Sequence, residues 1–199
     1  MRRALLFSSC AALLVLLTGC DSPPASELDA ARQAVDAARA AEAETYAPDE
    51  IGKASATVKE AEAEIAVQDD SFALTRSYDQ ARELLSRASS EAEAATAASG
   101  ENKIKVKGQS EAANEAAQAA IENAQGMLRK APRRGKAARE SVAALEADVA
   151  SAEATLAGAQ QAYDAGKYMD ALNQFGAVKR KADGVSSEIE QAIQQRRRR

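Results

Sequence analysis

Apolar residues recur along this chain at alternating steps of three and four, the spacing that gathers side chains on one face of an α-helix. Leu28, Ala31, Val35 and Ala38 make a first stripe, with Ser26 read as the N-cap and Glu27 and Asp29 in the first turn, where the helix dipole favours acids. A residue that precedes proline avoids the α region. Thr45-Tyr46-Ala47-Pro48 therefore ends that helix, and Pro48-Asp49-Glu50 suits the first turn of the next, whose stripe is Ile51, Ala54, Val58, Ala61 and Ile65. Past an acidic turn at Asp69-Asp70-Ser71, an unbroken heptad seam follows through Leu74, Tyr78, Ala81, Leu85, Ala88, Ala92 and Ala95. These three helices form one module, residues 26–99.

Residues 100–109 read as a linker, flanked by Gly100 and Gly108, in which Ile104-Lys105-Val106-Lys107 alternates in strand fashion. A solvated connection and a small edge for a partner strand both fit that pattern. A second module, residues 110–195, then repeats the first. Ser110-Glu111, Ala131-Pro132, Glu146-Ala147 and Val149 lie 84 positions after Ser26-Glu27, Ala47-Pro48, Glu62-Ala63 and Ile65. Tyr168 lies 96 after Phe72, which predicts 12 extra residues in the second module's middle helix. The stripes are Ala117, Ile121, Ala124 and Leu128, then Ala138, Val142, Leu145, Val149, Ala152, Leu156, Ala159 and Tyr163. Gly166 suits a left-handed helix end, after which come Tyr168, Ala171, Phe175, Val178, Ala182, Val185, Ile189 and Ala192. Gly166-Lys167-Tyr168 is similar to the start of a tetratricopeptide helix, but the period of about 34 residues is absent. Tyr168 is expected to plug its hairpin corner, as Phe72 would in the first copy.

The apolar residues are mostly alanine, which buries little area, so a thick globular core is not expected. Strong helix formers dominate and there are only four prolines. The predicted fold is all-α: elongated antiparallel helical hairpins or three-helix bundles, coiled-coil-like, in two related modules.

Ahead of the modules, Arg2 and Arg3 precede an apolar run from Ala4 to Leu17, too short for the roughly 20 residues that a bilayer span needs. It reads as a signal peptide, residues 1–19. Leu17-Thr18-Gly19-Cys20 resembles the lipobox of bacterial lipoproteins, in which a peptidase cuts before the cysteine and the thiol carries a diacylglycerol. The resemblance implies Cys20 as the lipidation site, its palmitate-like chains each adding about 0.8 kcal/mol per buried methylene. An ordinary secretory signal with an incidental cysteine is the plainer alternative. Residues 20–25, with Pro23 and Pro24, read as a short extended tether. Asp21 resembles the signal that retains enterobacterial lipoproteins in the inner membrane, so the choice between inner and outer membrane leans inward.

Chemistry is narrowed by what the chain lacks. It has two cysteines, Cys10 within the signal segment and Cys20, and no histidine or tryptophan. An enzyme would have to work with carboxylates alone. Neither enzymatic activity nor a cofactor is expected. Asp69-Asp70 falls short of a calcium loop and reads as helix capping. Glu60, Glu62, Glu64, Glu91 and Glu93 lie off the apolar stripes and read as a solvated face.

Charge divides the chain. From Cys20 to Ser99, 7 Lys/Arg stand against 17 Asp/Glu, and from Gly100 to Arg199 the figures are 17 and 13. The concentrated positive feature is Lys179, Arg180 and Lys181 on the last helix together with a basic tail, residues 196–199: Arg196, Arg197, Arg198 and Arg199. With screening lengths near 8 Å such a cluster acts by contact, on lipid headgroups, anionic wall or lipid polymers, or an acidic partner. A solvated tail is the alternative. Nucleic acid is not an expected partner, since no basic face is interleaved with aromatics.

Ala47-Pro48, Val58, Ala61, Phe72, Ala81 and Ala88, behind a lipobox, resemble a family of Ala-rich bacterial envelope lipoproteins, domain of unknown function 4398. The likeness covers residues 26–98 and, more loosely, 110–192. It implies helical form and an envelope location, lipid-anchored and facing the periplasm. The expected role is that of a structural or adaptor lipoprotein. A lipid or small-ligand binder using a groove between alanine-lined helices is the alternative.

Overall fold

The computed structural model describes residues 21–198. Its elements are α1 (Ala25–Ala40), α2 (Ala43–Tyr46), α3 (Pro48–Asp69), α4 (Asp79–Leu128), α5 (Lys136–Asp164) and α6 (Tyr168–Arg197). All regular structure among the described residues is helical, as the periodicity predicts. The chain falls into two units, the first ending at Glu101 and the second beginning at Asn102. α4 serves both: its first half packs in unit 1 and its second half in unit 2.

Unit 1 buries Ala31, Val35 and Ala38 of α1, Ile51, Ala54, Val58 and Ala61 of α3, and Leu84, Leu85, Ala88, Ala92 and Ala95 of α4. The alanines among these positions let helix backbones approach closely, and the valines, isoleucine and leucines between them fill the seam, which maximises dispersion contact between thin elements. Side chains beside the seam then cross-link the helices. Arg32 pairs with Glu62 at 2.7 Å, Arg87 with Glu60 at 3.1 Å, and Thr57 donates to Glu91 at 2.7 Å. Three of the glutamates expected on a solvated face therefore bridge helices. Their distance from the apolar stripe puts them at the rim of the interface rather than opposite it.

The helix starts differ from expectation by small, explicable amounts. α1 begins at Ala25 with Pro24 as N-cap, and Ser26 Oγ donates instead to Glu27 at 2.7 Å. α1 stops at Ala40, short of the Pro48 break, because Glu42 takes a left-handed conformation with φ 62°. Ser99 on α4 is fully buried there and donates to the Ala41 carbonyl at 2.6 Å, satisfying an acceptor at the helix end. Pro48 occupies the first turn of α3 as its lost N–H predicts.

Unit 2 repeats the plan with larger core residues. Ala117, Ile121, Ala124 and Leu128 face Val142, Leu145, Val149, Ala152 and Ala159, and both meet Ala171, Phe175, Val178, Ala182, Val185 and Ile189 of α6. At the α5–α6 corner Gly166 adopts φ 78°. The Gly166 N–H bonds Tyr163 O, and the Lys167 N–H bonds Ala162 O, both at 2.9 Å. This paired closure is the Schellman end that Gly166 was expected to permit.

Residues 100–109 are a correction: they lie inside α4, neither a linker nor a strand. Gly100 and Gly108 are helical and exposed, while Val106 is buried and Ile104 is exposed. Each glycine costs a helix only about 1 kcal/mol. Packed seams on both sides, with Glu101, Lys103, Lys105 and Lys107 as good helix formers between them, outweigh that penalty.

Phe72 and Leu74 are a second correction. Phe72 is 71% exposed and Leu74 78%, both in the turn before α4, so neither plugs a corner or extends the seam. The aromatic buried beside this turn is Tyr78, with no exposed surface. Tyr78, Ala81, Leu85, Ala88, Ala92 and Ala95 share their spacing with Tyr168, Ala171, Phe175, Val178, Ala182 and Val185, 90 positions later. The middle helices accordingly differ by fewer residues than the Phe72 pairing implied, 29 in α5 against 22 in α3. Nor does Ala131-Pro132 start a helix, since α5 begins only after Gly135, at φ 92°.

Candidate membrane-attachment site and basic end

Cys20 lies outside the described residues, but its neighbour Asp21 is placed. The Asp21 carboxylate accepts the Tyr78 backbone N–H at 2.8 Å and both arms of the Arg82 guanidinium, at 2.5 and 3.1 Å. Arg82 also donates to Ser22 O at 3.1 Å, and Pro24 is buried. The tether expected over residues 20–25 is thus fastened from Asp21 onward rather than free. The physical reason is a matched set: the α4 N-terminus offers unpaired N–H groups and a positive dipole end, and an arginine fork one turn inside it completes an anion seat. The Arg82 hydrogen bonds, and then the Tyr78 N–H, hold the Asp21 carboxyl below its ordinary range. Asp21 in turn raises Arg82.

The turn that enters α4 is stitched by further bonds. Tyr78 donates its hydroxyl to Asp69, and burial first, then that hydrogen bond, raises the phenol pKa. Arg76 donates to the carbonyls of Asp69 at 2.7 Å and Ser71 at 3.0 Å, and the Ser77 N–H to Gln68 at 3.2 Å. Asp69 is engaged as an acceptor within the fold. Among the described residues no group of three or more His, Cys, Asp or Glu could hold a metal ion.

The basic residues on α6 divide. Lys179 pairs with Asp183 at 2.5 Å and Lys181 with Asp148 on α5 at 3.1 Å, whereas Arg180 is exposed between them. Arg196 and Arg197 complete the last turn of α6, Arg198 caps it, and Arg199 lies outside the described residues. The structure thus places Lys179 and Lys181 in intramolecular pairs and Arg196, Arg197 and Arg198 on or capping a helix end.

The fold adds to those arginines a feature the sequence reading passed over. The α4–α5 loop carries Arg129, Lys130, Arg133, Arg134 and, at the start of α5, Lys136. Lys130 and Pro132 of that loop line a shallow cleft of about 300 Å³ together with Ile193, Arg196 and Arg197. Arg133 is spoken for by Glu146 at 2.7 Å. Five cations within eight residues were the available signal. The bland account of some of them is also physical: cations at the C-termini of α4 and α6 face the negative ends of two helix dipoles.

At the other end of unit 2 the aromatic corner forms as a pair. Tyr168 and Tyr163 are both half-buried with ring centroids 5.2 Å apart, and the Lys107 ammonium stands 5.9 Å above the Tyr168 ring. Tyr163 donates its hydroxyl to Glu111, and that bond, followed by desolvation, pushes the phenol pKa up to about 12.

Comparison with protein-family models, with curated proteins and with solved structures found no match to this chain. Among the described residues no helix is long and apolar enough to cross a membrane.

Proposed function

We propose that the protein is a membrane-anchored lipoprotein of the bacterial cell envelope, lipidated at Cys20, whose two helical units face the periplasm in a structural or adaptor role. The observation that carries this reading is Leu17-Thr18-Gly19-Cys20 behind Arg2, Arg3 and a short apolar run. Two acyl signals are what stable anchoring takes when no protein segment spans the bilayer. The chemistry of the units suits a scaffold better than a catalyst. Apolar positions close on one another through alanines, and Glu60, Glu62 and Glu91 are engaged between helices. The cations gathered at one end of unit 2 supply a contact for an anionic wall or lipid polymer.

The deciding experiment is metabolic labelling in a bacterial host with a clickable fatty acid. Label on the wild-type chain, lost in Cys20→Ala together with membrane retention, supports the reading. An unlabelled wild-type chain overturns it.

A further inference from the structure

Four large apolar side chains stand out of the described surface: Val67, Phe72, Leu74 and Ile104. Three of them fall within eight residues, at the C-terminal turn of α3 and in the loop that leads into α4. That loop is not slack. Arg76 ties it to Asp69 O and Ser71 O, Thr75 bonds Phe72 O through both its N–H and its hydroxyl, and Ser71 Oγ bonds Val67 O at 2.9 Å. The backbone is therefore held in a shape that presents Phe72 and Leu74 outward, while Tyr78, six residues after Phe72, is the aromatic that goes inside. A fixed loop that turns its largest apolar groups to the outside calls for an apolar environment there.

What covers it is indicated by where the chain enters unit 1. Asp21 is bonded to the N–H of Tyr78, the residue that ends this same loop. Cys20 is joined to Asp21 by one peptide bond, so its Cα is about 3.8 Å from that of Asp21. We infer that Phe72 and Leu74, with Val67 behind them, insert into the acyl–headgroup boundary of the bilayer beside the lipidated cysteine, seating unit 1 on the membrane by its α3–α4 turn. This rests on the lipid anchor proposed above. The contact is apolar rather than electrostatic. Asp69, Asp70 and Asp79 sit at this end with Asp21, against Arg76 and an Arg82 shared by Asp21 and Asp79, so this end carries an acidic excess and anionic lipid would oppose it. The anchor holds the loop at the surface, and the loop orients the unit.

The chain contains no tryptophan, so Phe72→Trp gives a single indole, excited selectively over the tyrosines, in the loop. The full-length variant, expressed in bacteria with a clickable fatty acid and reconstituted in phosphatidylcholine vesicles, is compared with Ala40→Trp. Ala40 is exposed at the far end of α1, about 22 Å along that helix from Ala25. The expected result is blue-shifted emission from Trp at position 72, quenched by brominated phosphatidylcholine and shielded from iodide, with Trp at position 40 showing neither effect. A labelled chain whose position 72 stays iodide-accessible and unquenched overturns the insertion and leaves the anchor standing. A blue shift that appears without vesicles and grows with protein concentration also overturns it, in favour of a second copy of the chain. An unlabelled chain overturns the anchor; quenching at position 72 in that sample supports the insertion alone, and its absence removes both.

Discussion

The carboxylate of Asp21 lies 2.5 Å from the guanidinium of Arg82, 61 residues further along the chain. This pair joins the first described residue to the opening turn of α4, and it decides where the chain after Cys20 enters unit 1. Arg82→Ala removes the fork and leaves the Tyr78 N–H as the main remaining partner. Amide exchange at Ser22 and at the first residues of α1 should accelerate, with exchange in the α6 core unchanged, as mass-resolved hydrogen exchange would show. The pH dependence has a definite sign. Asp21 is held below its ordinary pKa of 3.8, so its contribution is present above that value and is lost as pH falls through the lowered one. Exchange protection at Ser22 should therefore fall away only in that acid range.

The continuity of α4 predicts a gain from removing glycine. Gly100 and Gly108 are helical and exposed, and an added Cβ at either meets nothing within 4 Å. Gly100→Ala and Gly108→Ala should each stabilise the protein by about 0.5–1 kcal/mol in urea unfolding followed by circular dichroism. Unchanged midpoints in both variants would contradict a helix through this stretch.

Core geometry makes two opposite substitutions costly. Phe175 is fully buried among Ala, Val and Ile side chains of unit 2, and Phe175→Ala should cost about 3–5 kcal/mol through lost transfer energy and a residual cavity. Ala88 in unit 1 has no exposed surface, and Ala88→Leu should cost about 1–3 kcal/mol by forcing α4 away from its neighbours. Denaturant midpoints of the two variants against wild type check both.

The Tyr163–Glu111 bond should be visible in the absorbance of the phenolate. Tyr163 titrates near 12 against an ordinary value of 10, so it stays protonated after an unperturbed tyrosine has ionised. The raised value means that its contribution to unit 2 is complete below pH 10 and is lost as pH rises from there through 12. Glu111→Gln removes the carboxylate and should bring the Tyr163 share of the late-titrating absorbance back towards 10 in a spectrophotometric titration, leaving the share raised by burial at Tyr78.

The basic end of unit 2 predicts salt-sensitive binding to polyanions. Neutralising Lys130, Arg134, Arg196 and Arg197 together should lower the slope of log affinity against log salt for heparin by about 3–4, each contact releasing about 0.7–0.9 of a counterion. Neutralising Lys179 and Lys181, which are held by Asp183 and Asp148, should change it much less. Equal losses from both sets would remove the special role of this end.

How far the sequence could be read follows from the range of the forces involved. On α6 the predicted stripe is the buried one: Ala171, Phe175, Val178, Ala182, Val185 and Ile189 are all in the core. On α3 the same holds for Ile51, Ala54, Val58 and Ala61. A period of 3.6 is a local property of the helix, so the chain alone determines which face is buried. The left-handed glycine at position 166 was legible for the same reason, since the constraint is carried by one residue and its neighbours.

What the chain left undetermined lies at the helix ends and between segments distant in sequence. Ile104-Lys105-Val106-Lys107 fits a strand or a helix over four residues, and only the packed seams on either side decide for helix. Phe72 and Tyr78 both fall near a turn. Tyr78 goes inside because its hydroxyl meets Asp69 and its backbone N–H meets Asp21. The loop residues Lys130 and Pro132 join Arg196 and Arg197 only because α4 and α6 both finish at that end of unit 2. Hydrophobic periodicity thus determined the faces of the helices. Tertiary contact decided where they end, which aromatic is enclosed and which charges stand together, because each of those depends on a partner that local spacing does not encode.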